Sequence, residues 1–329
     1  MPVPGQLLTQ ISVGAVALYA LVTAANRAID RLLALAEYYD VDEVLVGMTI
    51  LAVGTSLPEL SAHLVASLGI LSGVLDYRVT SAVVIGGNTG SSAVQQFFLV
   101  GILLIGYGSV HLNRAFVRES YLPMLGAFVV TLLAAWDGTI SRIDGLVLVG
   151  LYVAYVGVRV SRREQSPPLQ ERPSRSPRRD ALVAAGLLLI VVFAASLVLS
   201  VVESIVAMLA LGGSMVGVVT IGVAAALPEL TTVMDAVRRR APNVALGTLV
   251  GSNIVNPLIG IGLGGALSTY SVPPAVVLWD LPFKLVVGAA LLGWTLYRHD
   301  GELARREGIY LLGVYFVFVV GRLLLFSEQ

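Results

Sequence analysis

Two glutamates lie inside long apolar stretches and are the clearest candidates for chemistry. Glu59 occurs in Leu57-Pro58-Glu59-Leu60, and Glu229 occurs in Leu227-Pro228-Glu229-Leu230. A carboxylate deep in an apolar span costs about 2.5–3.5 kcal/mol to insert into a membrane, so such residues are functional candidates by default. The preceding proline breaks or kinks the helix and frees carbonyl oxygens beside the carboxylate. This combination suits a hard cation with oxygen ligands; the alternative is a Pro-Glu pair at a helix start that faces water.

Small and polar residues accompany both glutamates. Gly54-Thr55-Ser56 and Ala224-Ala225-Ala226 precede the two prolines, and small residues let neighbouring helices and an ion approach closely. Two further pairs share a helix face because their members are four residues apart: Ser91 with Gln95, and Ser252 with Asn256. These side chains offer neutral oxygens that can complete a coordination shell, although the same groups also join helices by hydrogen bonds in lipid.

Other ionisable residues in apolar segments have less specific interpretations. His63 follows Glu59 by one helical turn and can carry protons, bind a transition metal or have a plain structural role. His111 and His299 are expected in loops, which leaves His63 without a second buried histidine for a metal pair. Asp280 and Lys284 are four residues apart; we expect a local ion pair with no role in transport.

The composition is that of a membrane protein. Of the 329 residues, 57% are hydrophobic and 13% are charged, against about 45–50% and about 25% in soluble domains. Acidic and basic residues number 21 each, so no basic field attracts nucleic acid. The absence of cysteine excludes disulfides, thiolate metal sites and cysteine nucleophiles.

Hydropathy predicts an all-α fold with ten transmembrane helices, since each span needs about 20 apolar residues. The predicted segments are 7–35, 44–71, 80–106, 119–136, 143–160, 181–210, 214–236, 241–267, 281–297 and 307–327. Residues 161–180 contain six arginines and four prolines and are predicted to form a disordered cytoplasmic linker. The linker separates a first five-helix repeat, 1–160, from a second, 181–329.

Basic residues predict the orientation in the membrane. The loops after the odd-numbered segments, with their flanks, hold 17 of the 21 arginines and lysines. The opposite side holds only Arg78, Arg142, Lys284 and Arg322. By the positive-inside rule, the five basic loops lie in the cytoplasm and both termini lie outside.

The two halves also share landmarks in the same order. The two Leu-Pro-Glu-Leu motifs correspond, and Gly90-Ser91-Ser92 corresponds to Gly251-Ser252-Asn253. Leu122-Pro123 opens the fourth segment as Leu281-Pro282 opens the ninth, and 137–152 matches 300–315 at a constant offset of 163. Equivalent segments are five apart, so each repeat crosses the membrane in the opposite direction to its partner. Such inverted repeats, with broken helices 2 and 7 at the midplane, are typical of secondary transporters.

These paired motifs resemble the cation/calcium antiporter superfamily, and most closely its prokaryotic sodium/calcium exchangers. The resemblance covers all ten segments, but its specific part is confined to 47–101 and 217–262. It implies that Glu59 and Glu229 coordinate Ca²⁺ at the centre of the membrane. It further implies a set of supporting metal ligands: Thr55, Ser56, Ser91, Gln95, Ser252 and Asn256.

The sequence departs from the family pattern in ways that affect the counter-ion. Ala225-Ala226 stands where those exchangers usually carry Thr-Ser, and Gln95 and Asn256 stand where an Asn and an Asp are frequent. Two glutamates still balance one divalent ion. The missing hydroxyls weaken sodium binding, whereas protonation of the glutamates needs no hydroxyl.

The resulting expectation is an antiporter in a prokaryotic cell membrane that exchanges Ca²⁺ for Na⁺ by alternating access. Exchange of Ca²⁺ or another divalent cation for H⁺ is the alternative, and a channel is a weaker one. The expected partners are Ca²⁺, the monovalent counter-ion and the lipid bilayer. No cofactor, nucleic acid or obligate protein partner is expected. An enzyme is not expected, because neither a His-Glu-x-x-His nor a Gly-x-Ser-x-Gly motif occurs.

Overall fold

The helices of the computed structural model follow the predicted segments. The structure describes residues 4–39, 52–161, 176–209, 212–239, 242–297 and 301–326. The helices are α1 (Pro4–Tyr38), α2 (Leu57–Leu71), α3 (Tyr77–Tyr107), α4 (Arg114–Ala134), α5 (Arg142–Ser161), α6 (Pro177–Leu209), α7 (Gly213–Arg238), α8 (Pro242–Ser268), α9 (Val276–Tyr297) and α10 (Arg305–Phe326). The strands are β1 (Ser109–His111), β2 (Thr139–Ile140), β3 (Tyr270–Ser271) and β4 (Glu302–Ala304).

The protein is a multi-pass membrane protein. Nine helices within the described ranges are long and apolar enough to cross a bilayer. The predicted segment 44–71 appears only in part: a helical turn, Ala52–Thr55, precedes the apolar helix α2, and 40–51 lie outside the described residues. Large apolar side chains such as Val16, Leu189, Phe193 and Leu324 are exposed along the helices. Lipid can cover these side chains, and for this reason an apolar exterior suits the fold.

The fourth and ninth helices begin before the residues predicted to open them. Leu122-Pro123 follows a π-helical turn, Val117–Tyr121, and Leu281-Pro282 follows another, Val276–Asp280. Proline lacks an N–H group and its ring clashes with the carbonyl four residues earlier. A wider turn accommodates one extra residue just before the proline. Each helix therefore continues through its Leu-Pro pair instead of starting there.

The two predicted halves meet through close backbone contacts. A Cβ atom at Gly86 of α3 would lie 2.2 Å from the carbonyl oxygen of Ser214 in α7. At Gly145 of α5, it would lie 2.2 Å from the Ala266 nitrogen in α8, so both sites require glycine. The strands also pair between the halves, β1 with β4 and β2 with β3. Two buried apolar clusters complete the core, one around Phe128 and Leu148 and the other around Phe97 and Phe318.

Candidate functional site

Each glutamate follows a single residue with non-helical backbone angles. Ser56 (φ −88°, ψ 7°) and Ala226 (φ −80°, ψ 2°) adopt nearly the same non-helical conformation immediately before the Leu-Pro-Glu-Leu motifs. These angles belong to the sparsely populated bridge region, where many functional residues occur. Each glutamate then lies in the first turn of the next helical piece, with Glu59 only 2% exposed and Glu229 fully buried. The proline in each motif supplies no N–H group, so the helix can reorient there.

Glu59 is bound by residues from both halves of the chain. Its Oε1 atom accepts a hydrogen bond of 2.6 Å from the Ser91 hydroxyl of α3. The same oxygen accepts a longer bond of 3.4 Å from the Asn256 amide of α8. Ser91 also accepts a bond of 3.2 Å from the Gln95 amide one turn later. Three of the predicted ligands therefore lie together around the first glutamate.

Glu229 has a corresponding set of neighbours. Its Oε1 atom accepts a hydrogen bond of 3.1 Å from the Ser252 hydroxyl. The hydroxyls of Ser252 and Thr55 also lie 3.1 Å apart, so Thr55 from the first half reaches the second glutamate's partner. Ser252 also lies one helical turn before Asn256, which donates to Glu59, so α8 contacts both glutamates. The two sets of predicted ligands consequently belong to one buried polar region.

Two π-helical turns carry the amide side chains of this region. Gln95 lies in Val94–Leu99 of α3, and Asn256 begins Asn256–Ile261 of α8. The Gln95 carbonyl oxygen accepts a hydrogen bond of 3.0 Å from the Asn253 amide. The sequence did not fix which way Asn253 faces; the structure directs it toward Gln95. Wide turns of this kind are frequent at functional sites because they redirect side chains out of the regular helical spacing.

Several oxygens in this region are buried but lack a hydrogen-bond partner among the described residues. They are Glu59 Oε2, Glu229 Oε2, Asn256 Oδ1 and Ser56 Oγ. An unsatisfied buried polar group costs about 1–3 kcal/mol, and a charged one costs more. A bound cation satisfies such oxygens directly. No group of three or more His, Cys, Asp or Glu side chains in the described ranges is placed to hold a metal ion, so a cation in this region would depend on two carboxylates together with neutral oxygens.

His63 does not extend the carboxylate site, since both of its ring nitrogens contact other residues. Nε2 lies 3.1 Å from the Asn88 amide nitrogen, and Nδ1 lies 3.2 Å from the Tyr270 hydroxyl. The side chain is 1% exposed. Because both ring nitrogens are occupied in this way, the contacts do not support binding of a transition metal by His63.

Asp280 forms its close ion pair with Arg322 and not, as expected, with Lys284, although the charges of Asp280 and Lys284 still attract each other. Asp280 Oδ1 lies 3.1 Å from Arg322 Nε, and both side chains are fully buried. Thr89 donates to the other carboxylate oxygen, and Arg322 Nη2 donates to the Ser214 hydroxyl at 2.5 Å. The ammonium of Lys284 lies over the Phe128 ring, 4.4 Å from its centroid. The sequence offered one signal for this cluster, since Arg322 falls within an apolar segment rather than in a loop.

Known proteins similar to this chain include membrane proteins from bacteria and archaea. The inner membrane protein YrbG of Escherichia coli is 28% identical over 92% of this chain and 94% of its own length. The sodium/calcium exchanger MaX1 of Methanosarcina acetivorans is 25% identical over 87% of this chain and 90% of its own length. These alignments extend over nearly the whole of each protein.

Solved structures share the fold. The sodium-calcium exchanger NCX_Mj superposes with a TM-score of 0.64 at 20% identity, covering 95% of this chain and 99% of that one. The H⁺/Ca²⁺ exchanger CAX superposes with a TM-score of 0.71 at 16% identity, covering 96% of this chain and 82% of that one. The family model described as sodium/calcium exchanger protein matches residues 10–160 and 181–324. The chain therefore belongs to the sodium/calcium exchanger family, whose members are membrane transporters and not enzymes.

Proposed function

We propose that the protein is a secondary antiporter that exchanges Ca²⁺ for a monovalent cation, with Glu59 and Glu229 as the central ligands. The observation that carries this proposal is the state of the two carboxylates. Both are buried, both come from helix breaks in different halves, and each leaves Oε2 without a partner among the described residues. Two negative charges balance one divalent cation.

The remaining ligands in this proposal are oxygens that already surround the glutamates. Ca²⁺ takes about six to eight oxygen ligands, including carboxylates, amide carbonyls and backbone carbonyls. Thr55, Ser56, Ser91 and Ser252 supply hydroxyls, and Gln95 and Asn256 supply amide oxygens. All six side chains are less than a tenth exposed. Their convergence around two carboxylates supports a hard cation as the transported ion.

Alternating access follows from two inverted five-helix repeats, 1–160 and 181–329, joined by the linker 161–180. The contacts between the halves support this arrangement. Gly145 and Gly308, which correspond at the offset of 163, each bring a fifth helix against the other half, at Ala266 and Gly101 respectively. The non-helical residues before both glutamates support a site between the repeats. The long helices α1 and α6 pack along each other, and in this proposal they slide to open each side in turn.

Exchange becomes obligatory if the carboxylates bind either Ca²⁺ or the counter-ions, but never both. Na⁺ is the proposed counter-ion, supported by the named activity of the relative MaX1. H⁺ is the second candidate because of a specific observation. Ala225 and Ala226 are buried beside the second break and provide no side-chain oxygen for Na⁺, whereas protonated glutamates release Ca²⁺ without any hydroxyl.

We also propose a prokaryotic cell membrane with both termini outside and the linker in the cytoplasm. The chain has no cysteine, so single cysteines can be introduced cleanly. A membrane-impermeant maleimide added to intact cells should label Ser327→Cys and spare Gln170→Cys. Labelling of Gln170→Cys alone would show that the protein has the opposite orientation.

The counter-ion is tested by calcium uptake into proteoliposomes that contain the purified protein. Uptake is driven first by an outward sodium gradient and then by an outward proton gradient without sodium. Sodium-driven uptake supports the proposal, and uptake with protons alone assigns the second candidate. Uptake that continues without any counter-ion gradient or exchangeable internal cation indicates a channel and contradicts antiport.

A further inference from the structure

A second buried polar cluster lies beside the carboxylate site and joins three elements. It consists of His63 and Ser67 of α2, Asn88 of α3 and Tyr270 of β3, and is called the His63 cluster below. The Tyr270 hydroxyl lies 3.2 Å from His63 Nδ1, 3.1 Å from the Ser67 hydroxyl and 3.1 Å from the His63 carbonyl oxygen. All four side chains are at most 2% exposed. The cluster is therefore closed to water, and its hydrogen bonds must be satisfied internally.

The hydrogen bonds of Asn88 determine where the histidine carries its proton. The Asn88 amide nitrogen donates to the backbone carbonyl of Asn256 at 2.8 Å, which fixes the orientation of the side-chain amide. The same nitrogen lies 3.1 Å from His63 Nε2. Since this nitrogen is a donor, Nε2 must be the acceptor, and the proton of a neutral imidazole lies on Nδ1. A second proton on Nε2 would place two donors against each other.

The same contacts connect His63 to the proposed calcium site. Asn256 is the first residue of the π-helical turn in α8, and its carbonyl is held by Asn88. Its side-chain amide reaches Glu59 Oε1 at 3.4 Å. The order of contacts is thus His63, Asn88, Asn256 and Glu59. The position of one proposed ligand depends on an acceptor that only a neutral His63 provides.

Two glycines of α8 create the space for the His63 cluster. A Cβ atom at Gly260 would lie 2.8 Å from the Asn88 amide nitrogen and 3.0 Å from His63 Cδ2. A Cβ atom at Gly264 would lie 2.1 Å from the Tyr270 hydroxyl. Both residues face the cluster at a spacing of one helical turn, so α8 approaches α2 closely where His63 and Ser67 lie.

We propose that His63 is a positioning residue for the calcium site: as a neutral acceptor it fixes Asn88, which in turn fixes Asn256 beside Glu59. The inference rests on the proposed function, since it assigns His63 a part in placing a calcium ligand. It also excludes the role of proton carrier, which a histidine near a carboxylate suggests. A proton carrier must gain and lose a proton during exchange, whereas a positioning residue must stay neutral throughout.

Two substitutions separate these roles. In His63→Gln, Oε1 reaches the place of Nε2 and can accept from Asn88, but the side chain carries no titratable proton. In His63→Asn, the shorter amide reaches only the place of Nδ1, and Asn88 loses its acceptor. Residues that orient metal ligands typically contribute about 10–100-fold to metal affinity. We therefore expect His63→Asn to raise the KM for calcium about tenfold or more at similar kcat, and His63→Gln to recover most of that affinity.

The measurement is the initial rate of calcium uptake in proteoliposomes, fitted for KM and kcat, with gel filtration of each variant in detergent as the folding control. Calcium-dependent protection against thermal unfolding gives a second readout of affinity without transport. Thr131→Ala is the matched control, because that buried hydroxyl binds the Ala127 carbonyl in its own helix, away from the His63 cluster. This control should keep the KM of the unchanged protein.

The outcomes are distinct. An equal loss of calcium uptake in His63→Gln and His63→Asn, seen mainly in kcat, would contradict a positioning role and would favour proton transfer by His63. An unchanged KM and unchanged thermal protection in a folded His63→Asn protein would also overturn it, because Asn256 would not need the contact. Failure of the unchanged protein to take up calcium would remove the proposed function itself, and this inference with it.

Discussion

The hydroxyls of Thr55 and Ser252 lie 3.1 Å apart, although the two residues are 197 positions apart in the chain. Thr55 ends the helical turn before the first break, and Ser252 donates to Glu229 after the second. The contact therefore crosses between the two halves at the depth of the carboxylates. Residues from both parts of the chain surround each glutamate, so neither part alone supplies all of these neighbours.

This contact predicts coupled effects of two substitutions. Ser252→Ala removes a donor to Glu229 and the partner of Thr55, and should raise the KM for calcium about tenfold. The double variant with Thr55→Ala should raise the KM by less than the two separate effects combined, because the effects of substituting contacting residues are not additive. Thr248→Ala is the control, since that hydroxyl binds the Val244 carbonyl in its own helix. Strict additivity in uptake measurements would contradict the shared contact.

The buried alanines at the second break predict a gain of function. The double substitution Ala225→Thr/Ala226→Ser introduces the two hydroxyls that sodium/calcium exchangers usually carry there, at the positions equivalent to Thr55-Ser56. If side-chain oxygens limit sodium binding, the double variant should show a lower KM for sodium in sodium-driven calcium uptake. Proton-driven uptake measured in the same vesicles provides the comparison. A sodium KM that stays the same in a folded variant would mean that backbone carbonyls already complete the sodium sites.

Two ion pairs that differ in burial predict different sensitivities to the loss of their carboxylate. Arg322 and Asp280 are fully buried, while Arg159 and Glu119 form a pair of 2.8 Å with side chains about a fifth exposed. Asp280→Asn leaves a buried guanidinium without its counter-charge and should lower the free energy of unfolding by about 3–5 kcal/mol. Glu119→Gln should cost about 0–1 kcal/mol, because water screens that pair. Denaturant unfolding of both variants in detergent measures the difference. Equal losses of unfolding free energy in the two variants would show that the contribution of the Asp280–Arg322 pair to stability does not depend on its burial.

Two glycines of α5 predict a contrast within one helix. Gly145→Ala would bring a Cβ atom within 2.2 Å of the Ala266 nitrogen, so it should separate α5 from α8 and destabilise the protein. Gly150 has nothing within 4 Å of an added Cβ atom. There, alanine should stabilise the helix by up to about 1 kcal/mol, as its helix propensity exceeds that of glycine. Melting temperatures of the two variants in the same detergent should move in opposite directions. A common direction would contradict the close packing of α5 on α8.

The helices were largely predictable from the sequence because hydropathy alone marks the spans. The nine long helices begin and end within a few residues of the predicted segments, with the largest differences at Arg114 and Val276. There the π-helical turns before Pro123 and Pro282 carry the helices further than the Leu-Pro pattern indicated. Periodicity does not reveal such turns, since they depend on how the chain accommodates a missing N–H group.

The sequence selected the candidate residues, but it did not reveal their contacts. The motif pairs selected Glu59, Glu229 and their six companions, and the structure gathers these residues in one buried region. Partners such as Asn253 for Gln95, or Arg322 for Asp280, lie far apart in the sequence. They depend on how the two halves pack, and local spacing carries no information about that packing. The same reason explains why the sequence left the role of His63 open.

Calcium–calcium exchange tests the central claim most directly, because it needs the two glutamates but no particular counter-ion. Proteoliposomes loaded with unlabelled calcium are placed in radioactive calcium, and uptake of the label is followed without sodium or a pH gradient. The unchanged protein should exchange label, while Glu59→Gln and Glu229→Gln should abolish exchange and still elute as folded protein. Glu203→Gln is the matched control, since that carboxylate binds Thr80 away from the site. Full exchange by either site variant would contradict the assignment of Glu59 and Glu229 as the calcium ligands.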